Sequence, residues 1–313
     1  MRRRNLIIKA TILVFALSST MLAQEPTPPA AKSAGPTVQL SLIVTDSKHK
    51  SVDTISKEDI QLVEDKVEQT VLSVEPDVRA VDLGLVIDSS ASVRSLIDSI
   101  LEATRLVIVN RQPKDEIFIE RFISTDKIQK IQDFTSDEKV LNKALDSIFV
   151  EGGQSAVVDA VYTAANYVVE HNRNSDRRKV LVLFTDGEDR LSTYKLEKLL
   201  SLLHQKKVQI FVVGLTVDLD KESSPTRLSP RDKAEKLLNT LAAESGGRAF
   251  FPKDKSELND SIAQIVQDLH GQFRLTYQSS NGEKKGFRNV EVKLISPSGE
   301  KRKVIAPRGY ETQ

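Results

Sequence analysis

The 313 residues contain no cysteine and no tryptophan, and only two methionines and four histidines. Without cysteine there is no disulfide, no thiolate metal ligand, no cysteine nucleophile and no acceptor for a lipid at a leader-peptide cysteine. Stability must therefore come from the core. The histidines (His49, His171, His204, His270) are scattered and none falls at a predicted strand end, so each reads as a surface or helix-face residue rather than a general base. Charge of one sign is missing too: 45 Lys and Arg oppose 44 Asp and Glu. No basic cluster with interleaved aromatics appears, which excludes a nucleic-acid surface. Also absent are a G-x-x-x-x-G-K-[ST] phosphate loop, a G-x-S-x-G nucleophile elbow, and a D-x-D after the first strand of the central region.

What is there is an ordinary globular composition, 39% apolar and 28% charged, with room for one large α/β domain and a smaller one. Arg2, Arg3 and Arg4 precede an apolar segment from Leu6 to Leu17, then small residues ending at Ala23. That order reads as a secretory signal peptide over 1–23; the alternative, an uncleaved anchor, is disfavoured because Lys9 interrupts a short run. Removing 1–23 takes four basic and no acidic residues, leaving 41 against 44 and a net charge of −3. The expected location is the periplasm or the outside, with no later run long enough to span a bilayer.

Residues 24–36 read as a Pro-rich linker. From 37 to 79 short strands are expected, beginning with the alternation of Val38, Leu40, Leu42 and Val44, then one helical turn at Ser56–Asp59 and two short strands between 60 and 75. From 80 to 270 strands alternate with amphipathic helices. Strands are expected at 81–88, 116–123, 128–134, 179–185, 208–215 and 248–251. The expected helices are 92–110 (Leu96, Ile97, Ile100, Leu101 and Leu106 inward), 135–148 with Thr135 and Glu138 as a capping box, 155–170, 193–205, 230–244 with Ser229-Pro230 at its start, and 256–269. Such alternation predicts an α/β fold: a doubly wound, mostly parallel sheet with helices on both faces. The tail, 271–313, returns to β through Phe273, Leu275 and Tyr277, then Val290, Val292 and Leu294. Neither β segment buries a face alone, so 271–313 is expected to pair with 37–79 in a small β-sandwich.

Chemistry concentrates at two strand ends. The apolar run ending at Val86-Ile87 delivers Asp88-Ser89-Ser90-Ala91-Ser92, and the run Val180–Phe184 delivers Thr185-Asp186-Gly187-Glu188-Asp189. Oxygen ligands at the carboxyl ends of parallel strands suggest a hard-cation site. Taken singly, each motif has a plainer reading: an N-cap, a positive-φ turn, a common Asp-Gly turn.

With Gly152-Gly153-Gln154-Ser155 and the downstream Asp159-Ala160, these motifs resemble a von Willebrand factor type A (VWFA) domain over roughly 80–270. The leader and flanking β segments further resemble the exported VWFA-related proteins of acidobacteria, through softer patterns such as Val44-Thr45-Asp46 and Arg308-Gly309-Tyr310. The resemblance implies a Rossmann-like fold and a metal-ion-dependent adhesion site. Asp88, Ser90 and Ser92 would supply its first loop and Asp186 its last. The family's middle threonine maps onto Ser155, four residues before Asp159, with Gln154 the less favoured alternative. Serine keeps the hydroxyl but lacks the methyl that restricts its rotamer. The implied cofactor is a divalent ion, Mg²⁺ ahead of Mn²⁺ or Ca²⁺. The implied partner is a protein presenting a carboxylate, with no enzymatic activity. Two other classes stay open at this point: a Mg²⁺-dependent hydrolase or phosphoryl-transfer enzyme, and a structural domain with a vestigial metal site. Glu188 and Asp189 are expected to be solvated. The polar loop 217–229 is expected to shape partner choice or to be a passive insertion.

Overall fold

A computed structural model describes residues 35–52, 54–172, 176–220, 222, 228–282, 285–295 and 302–312. The expected leader, nearly all of the linker and the centre of the 217–229 loop lie outside these residues.

The central sheet forms because its strands are apolar on both faces. Val81–Asp88 (β5) is buried at every position, as are Val208–Gly214 (β9) and nearly all of Arg178–Thr185 (β8). Such runs are stable only when helices cover both sides. With Glu116–Phe122 (β6), Ile128–Thr135 (β7) and Ala249–Phe250 (β10), the order is β10-β9-β8-β5-β6-β7, parallel except for β7. One face is covered by Ile97–Val109 (α1), Glu138–Leu145 (α2) and Lys255–His270 (α6), through Ile100, Val107, Leu141, Ile262 and Ile265. The other is covered by Val157–His171 (α3), Leu196–Lys206 (α4) and Pro230–Ser245 (α5), through Val161, Ala164, Leu203 and Leu238. Contact is tight at Gly84, where a Cβ would lie 2.4 Å from the Phe118 ring.

β5 has β6 on one side and β8 on the other, and the chain winds outward in opposite directions from that pair. In open α/β sheets the crevice at such a reversal, outside the strands' carboxyl ends, is where ligands bind. Asp88 and Asp186 stand there.

The terminal segments build two four-stranded antiparallel sheets. Thr37–Thr45 (β1), Val71–Pro76 (β4), Gln272–Gln278 (β11) and Lys303–Ile305 (β13) form one, in the order β13-β1-β11-β4. Ile60–Glu64 (β2), Val67–Gln69 (β3), Gly286–Leu294 (β12) and Gly309–Thr312 (β14) form the other, in the order β14-β12-β2-β3. Their inner faces share Leu40, Leu42, Leu62, Leu275 and Tyr277. Inside lies Glu64, 0% exposed. It accepts hydrogen bonds from Tyr277 (2.6 Å), Ser279 (2.7 Å), Asn281 (2.7 Å) and Tyr310 (3.1 Å). Burial pushes this carboxyl up, but the four donors outweigh burial and hold it below its usual range.

Differences from the expected elements are local. Residues 60–76 hold three strands rather than two. α1 begins at Ile97, and Ala91–Val93 form a 3₁₀ turn instead. Leu106, expected inward, is 37% exposed. α2 is capped not by Thr135 but by Asp137, whose Oδ1 accepts from Lys139 N and Val140 N, while Thr135 supports the Asp137 amide. His204 is a helix-face residue as expected, on the buried face of α4 against Phe287. Ser229 caps α5 as expected, accepting from Asp232 N at 3.0 Å.

Candidate metal centre

Asp88 ends β5 with no exposed surface. Its Oδ1 accepts from Ser90 N at 2.9 Å, and its Oδ2 from Thr185 Oγ1 at 2.7 Å. The Ser155 hydroxyl lies 3.1 Å from Asp88 Oδ2 and 2.8 Å from Ser90 Oγ, and Ser90 Oγ lies 3.1 Å from Ser92 Oγ. Four of the five anticipated side chains thus form one continuous oxygen cluster. Asp186 joins it through its charge, which acts on Asp88, and through the Ser92 hydroxyl. Gln154 makes no hydrogen bond in the cluster among the described residues.

Two like charges share this dry place. Burial, then the negative charge of Asp186, push Asp88 up to about 6, against the opposing hydrogen bonds of Ser90 and Thr185. Burial raises Asp186 as well, opposed by the Ser92 hydroxyl and the Glu188 amide, which donates to Asp186 Oδ1 at 3.0 Å. Asp186 Oδ2 is buried with no hydrogen-bond partner. An orphaned carboxylate oxygen beside a second buried carboxylate and three hydroxyls is a donor set suited to a hard divalent cation, which would neutralise both charges. The residues present fit such an ion.

The surrounding loops are fixed from several directions. Glu151 N donates to Ser89 O at 3.0 Å, tying the Gly152-Gly153 segment to the end of β5. Glu151 itself is held by Arg121 and Lys127, each at 2.9 Å. Arg190 N and Leu191 N donate to Ser155 O at 2.9 and 3.2 Å. Gly187 adopts φ +80, and an added Cβ would lie 2.8 Å from Leu238, so the turn after Asp186 requires glycine.

Two supporting residues were not singled out from sequence. Thr185 bridges the motifs, donating to Asp88 and accepting from Gly187 N at 3.0 Å. Asp159, noted only as a marker for counting, clamps the 193–194 backbone. It accepts from Thr193 N (2.9 Å), Tyr194 N (2.8 Å), Thr193 Oγ1 (3.0 Å) and Thr125 Oγ1 (2.8 Å). Burial raises this carboxyl, but these bonds prevail and it lies below its usual range. Thr185 sits inside the T-D-G motif and was visible there; the role of Asp159 depends on partners 34 residues away. Asp189 is exposed and Glu188 half-buried, and both make local contacts. Glu188 pairs with Arg190 at 2.6 Å, and Asp189 accepts from Ser192 at 2.5 Å.

A second group, Asp82, Glu116 and His171, brings ligand-type atoms within 4.8 Å of one another. It lies at the opposite end of β5, six residues before Asp88. One Asp82 oxygen accepts from Asn172 at 2.7 Å and the other from the Arg177 guanidinium. A side-chain cation already occupies this cluster, which reads as an ion-pair network.

Residues 82–265 match the von Willebrand factor type A domain family. Among solved structures, a von Willebrand factor type A protein from Catenulispora acidiphila is 10% identical, covering 91% of this chain and 75% of that one at a TM-score of 0.48. BatB from Bacteroides thetaiotaomicron is 15% identical, covering 61% and 99%, also at 0.48. The pilus adhesin SpaC from Lactobacillus rhamnosus GG, in an open conformation, is 9% identical, covering 81% and 47%, at 0.47. Curated protein sequences give no significant match.

Proposed function

The chain belongs to the von Willebrand factor type A domain family, and we propose that it is an exported, non-enzymatic module that binds an acidic group of a protein partner through a divalent-cation site. Asp88, Ser90, Ser92, Ser155 and Asp186 would hold the ion, with Mg²⁺ the best match to an all-oxygen donor set. When bound, the ion would supply the Lewis-acid contact for a partner's carboxylate oxygen. Domains of this family mediate protein–protein interaction, and among the described residues no helix is long and apolar enough to cross a membrane.

The observation that carries this reading is the unpartnered, buried Asp186 Oδ2 close to a second buried carboxylate. The protein's own groups do the positioning. Thr185 fixes the rotamer of Asp88, the Arg190 and Leu191 amides fix the Ser155 backbone, and the Asp159 clamp fixes that loop. Around the site Phe149 (57% exposed), Leu191 (45%) and Tyr194 (37%) offer apolar area at the rim. Exposed aromatic and aliphatic side chains beside a polar site suit contact with a protein surface, where aromatics are enriched. A hydrolytic role gains less support: both Asp88 oxygens are engaged and fully buried, which leaves neither poised for attack.

The test is capture of a partner from the source's extracellular proteins by immobilised protein, with and without EDTA, and by Asp186→Ala. Capture lost in both cases is the expected result. A partner retained equally in all three would place the contact elsewhere.

A further inference from the structure

At the other end of the central sheet, where α4 and α5 meet the β-sandwich, lies a cavity of about 240 Å³. Five basic residues line it (Arg79, Arg177, Arg178, Lys179 and Lys207) against two acidic ones, Asp176 and Glu244. Both acids and two of the cations are already committed: Glu244 to Arg308 at 2.9 Å, Arg79 to Asp77 at 2.6 Å and to Asp176 at 3.3 Å, and Arg177 to Asp82, which leaves Arg178, Lys179 and Lys207 as the cations without a full partner. The Lys179 ammonium makes no hydrogen bond or ion pair among the described residues. Lys207 has only the Gln39 carbonyl, at 3.3 Å.

Arg178 is the independent observation. It is 6% exposed, and its Nη2 donates to Leu269 O at 2.5 Å. Its Nε and Nη1 are buried without hydrogen bonds, with Asp77 no nearer than 4.0 Å. A guanidinium keeps its charge at any ordinary pH, so these donors are left unsatisfied at a cost. Partial burial, then Lys207 and Arg79, hold Lys179 below the usual lysine range. Lys207 is exposed as a residue, yet its ammonium is shielded, and Arg79 is close enough to lower it too. Lysines lowered by neighbouring cations, beside a guanidinium with two free donors that Asp77 and Asp115 serve only at a distance, would gain from a bound anion.

We propose that this cavity is an oxyanion site, taking a small phosphate-bearing molecule between the α/β domain and the β-sandwich. The three cations without a full partner, Arg178, Lys179 and Lys207, favour a dianion over a single carboxylate. The volume is below that of drug-sized sites, and Leu40, Leu203 and Tyr310 in the wall suit a short apolar arm on the phosphate. Lysines supply point charges and the arginine supplies directed donors.

Calorimetry and thermal unfolding with inorganic phosphate and phenyl phosphate test it, with chloride at matched ionic strength as the screening control. The expected result is saturable binding of one phosphate and a concentration-dependent rise in Tm. Affinity should fall by about 10-fold or more in Lys179→Gln and in Lys207→Gln, as expected for loss of one charge-assisted contact. Without phosphate both variants should melt at or above the wild-type temperature, because repulsion is relieved. A metal-site variant, Asp186→Asn, should bind phosphate unchanged, which separates this site from the cation site. Absence of saturable binding, equal affinity in the lysine variants, or the same stabilisation by chloride overturns the proposal. Lower stability of the phosphate-free lysine variants also overturns it, since the lysines would then be structural props.

Discussion

Glu120 on β6 offers a quantitative test of how dry the floor beneath the site is. It is 2% exposed, faces the same side of the strand as Phe118 and Phe122, and leaves Oε1 without a hydrogen bond. Burial pushes it from 4.5 up to about 8. Below pH 4.5 folded and unfolded chains both carry the proton, so the group contributes no slope. Between 4.5 and about 8 the folded chain retains a proton that the unfolded chain has released, so stability falls as pH rises. Above about 8 the loss is complete. At 1.36 kcal/mol per pH unit, the interval from 5.5 to 8 corresponds to about 3 kcal/mol. Glu120→Gln keeps the shape and removes the titration. Urea denaturation of both proteins in EDTA at pH 5.5, 6.5, 7.5 and 8.5 isolates the group, because Asp88, Asp186 and Asp268 titrate in each and cancel in the difference. The variant should gain about 3 kcal/mol on the wild type over that range. Parallel curves would refute a dry, unpaired Glu120.

Further outcomes follow from the same structure. Asp159→Ala strips the acceptor from the Thr193 and Tyr194 amides and should cost about 2–3 kcal/mol in denaturation. It should also weaken divalent-cation binding about 10-fold by loosening the loop that positions Ser155, as read by calorimetry. Glu64→Gln replaces a buried acceptor that four donors converge on and should destabilise by about 2–4 kcal/mol. That loss should fade in the wild-type comparison as pH falls below 4.5, since a carboxyl held low contributes its full stability above its unfolded value and loses it as pH falls through its lower folded value.

Much of the fold was legible because its signals are local and redundant. Continuous Val/Leu/Ile runs announced β5, β8 and β9, 3.6-residue stripes announced α3 and α6, and Ser229-Pro230 announced the start of α5. The two motif loops could be placed because each follows such a strand. Details were lost where neighbouring residues compete for one role. Thr135 and Asp137 both suit an N-cap, and only the backbone path decides that Asp137 takes it. Ser92 was expected to open a helix, but a 3₁₀ turn intervenes, which keeps Ser90 and Ser92 beside Asp88 and Ser155. Long-range chemistry was not legible. The Asp159 clamp, the Glu64 cluster and the basic cavity each draw on segments far apart in the chain, and nothing in any one segment announces the others.

The central claim is that five oxygen-bearing side chains form a cation site left electrostatically incomplete by two buried carboxylates. Calorimetric titration of the purified protein with MgCl₂ and MnCl₂, beside Asp186→Asn, tests it most directly. The account predicts one saturable site in the wild type, at least about 100-fold weaker binding in the variant, and a metal-free variant no less stable than the wild type. No saturable binding by the wild type, or equal affinity in the variant, would contradict it.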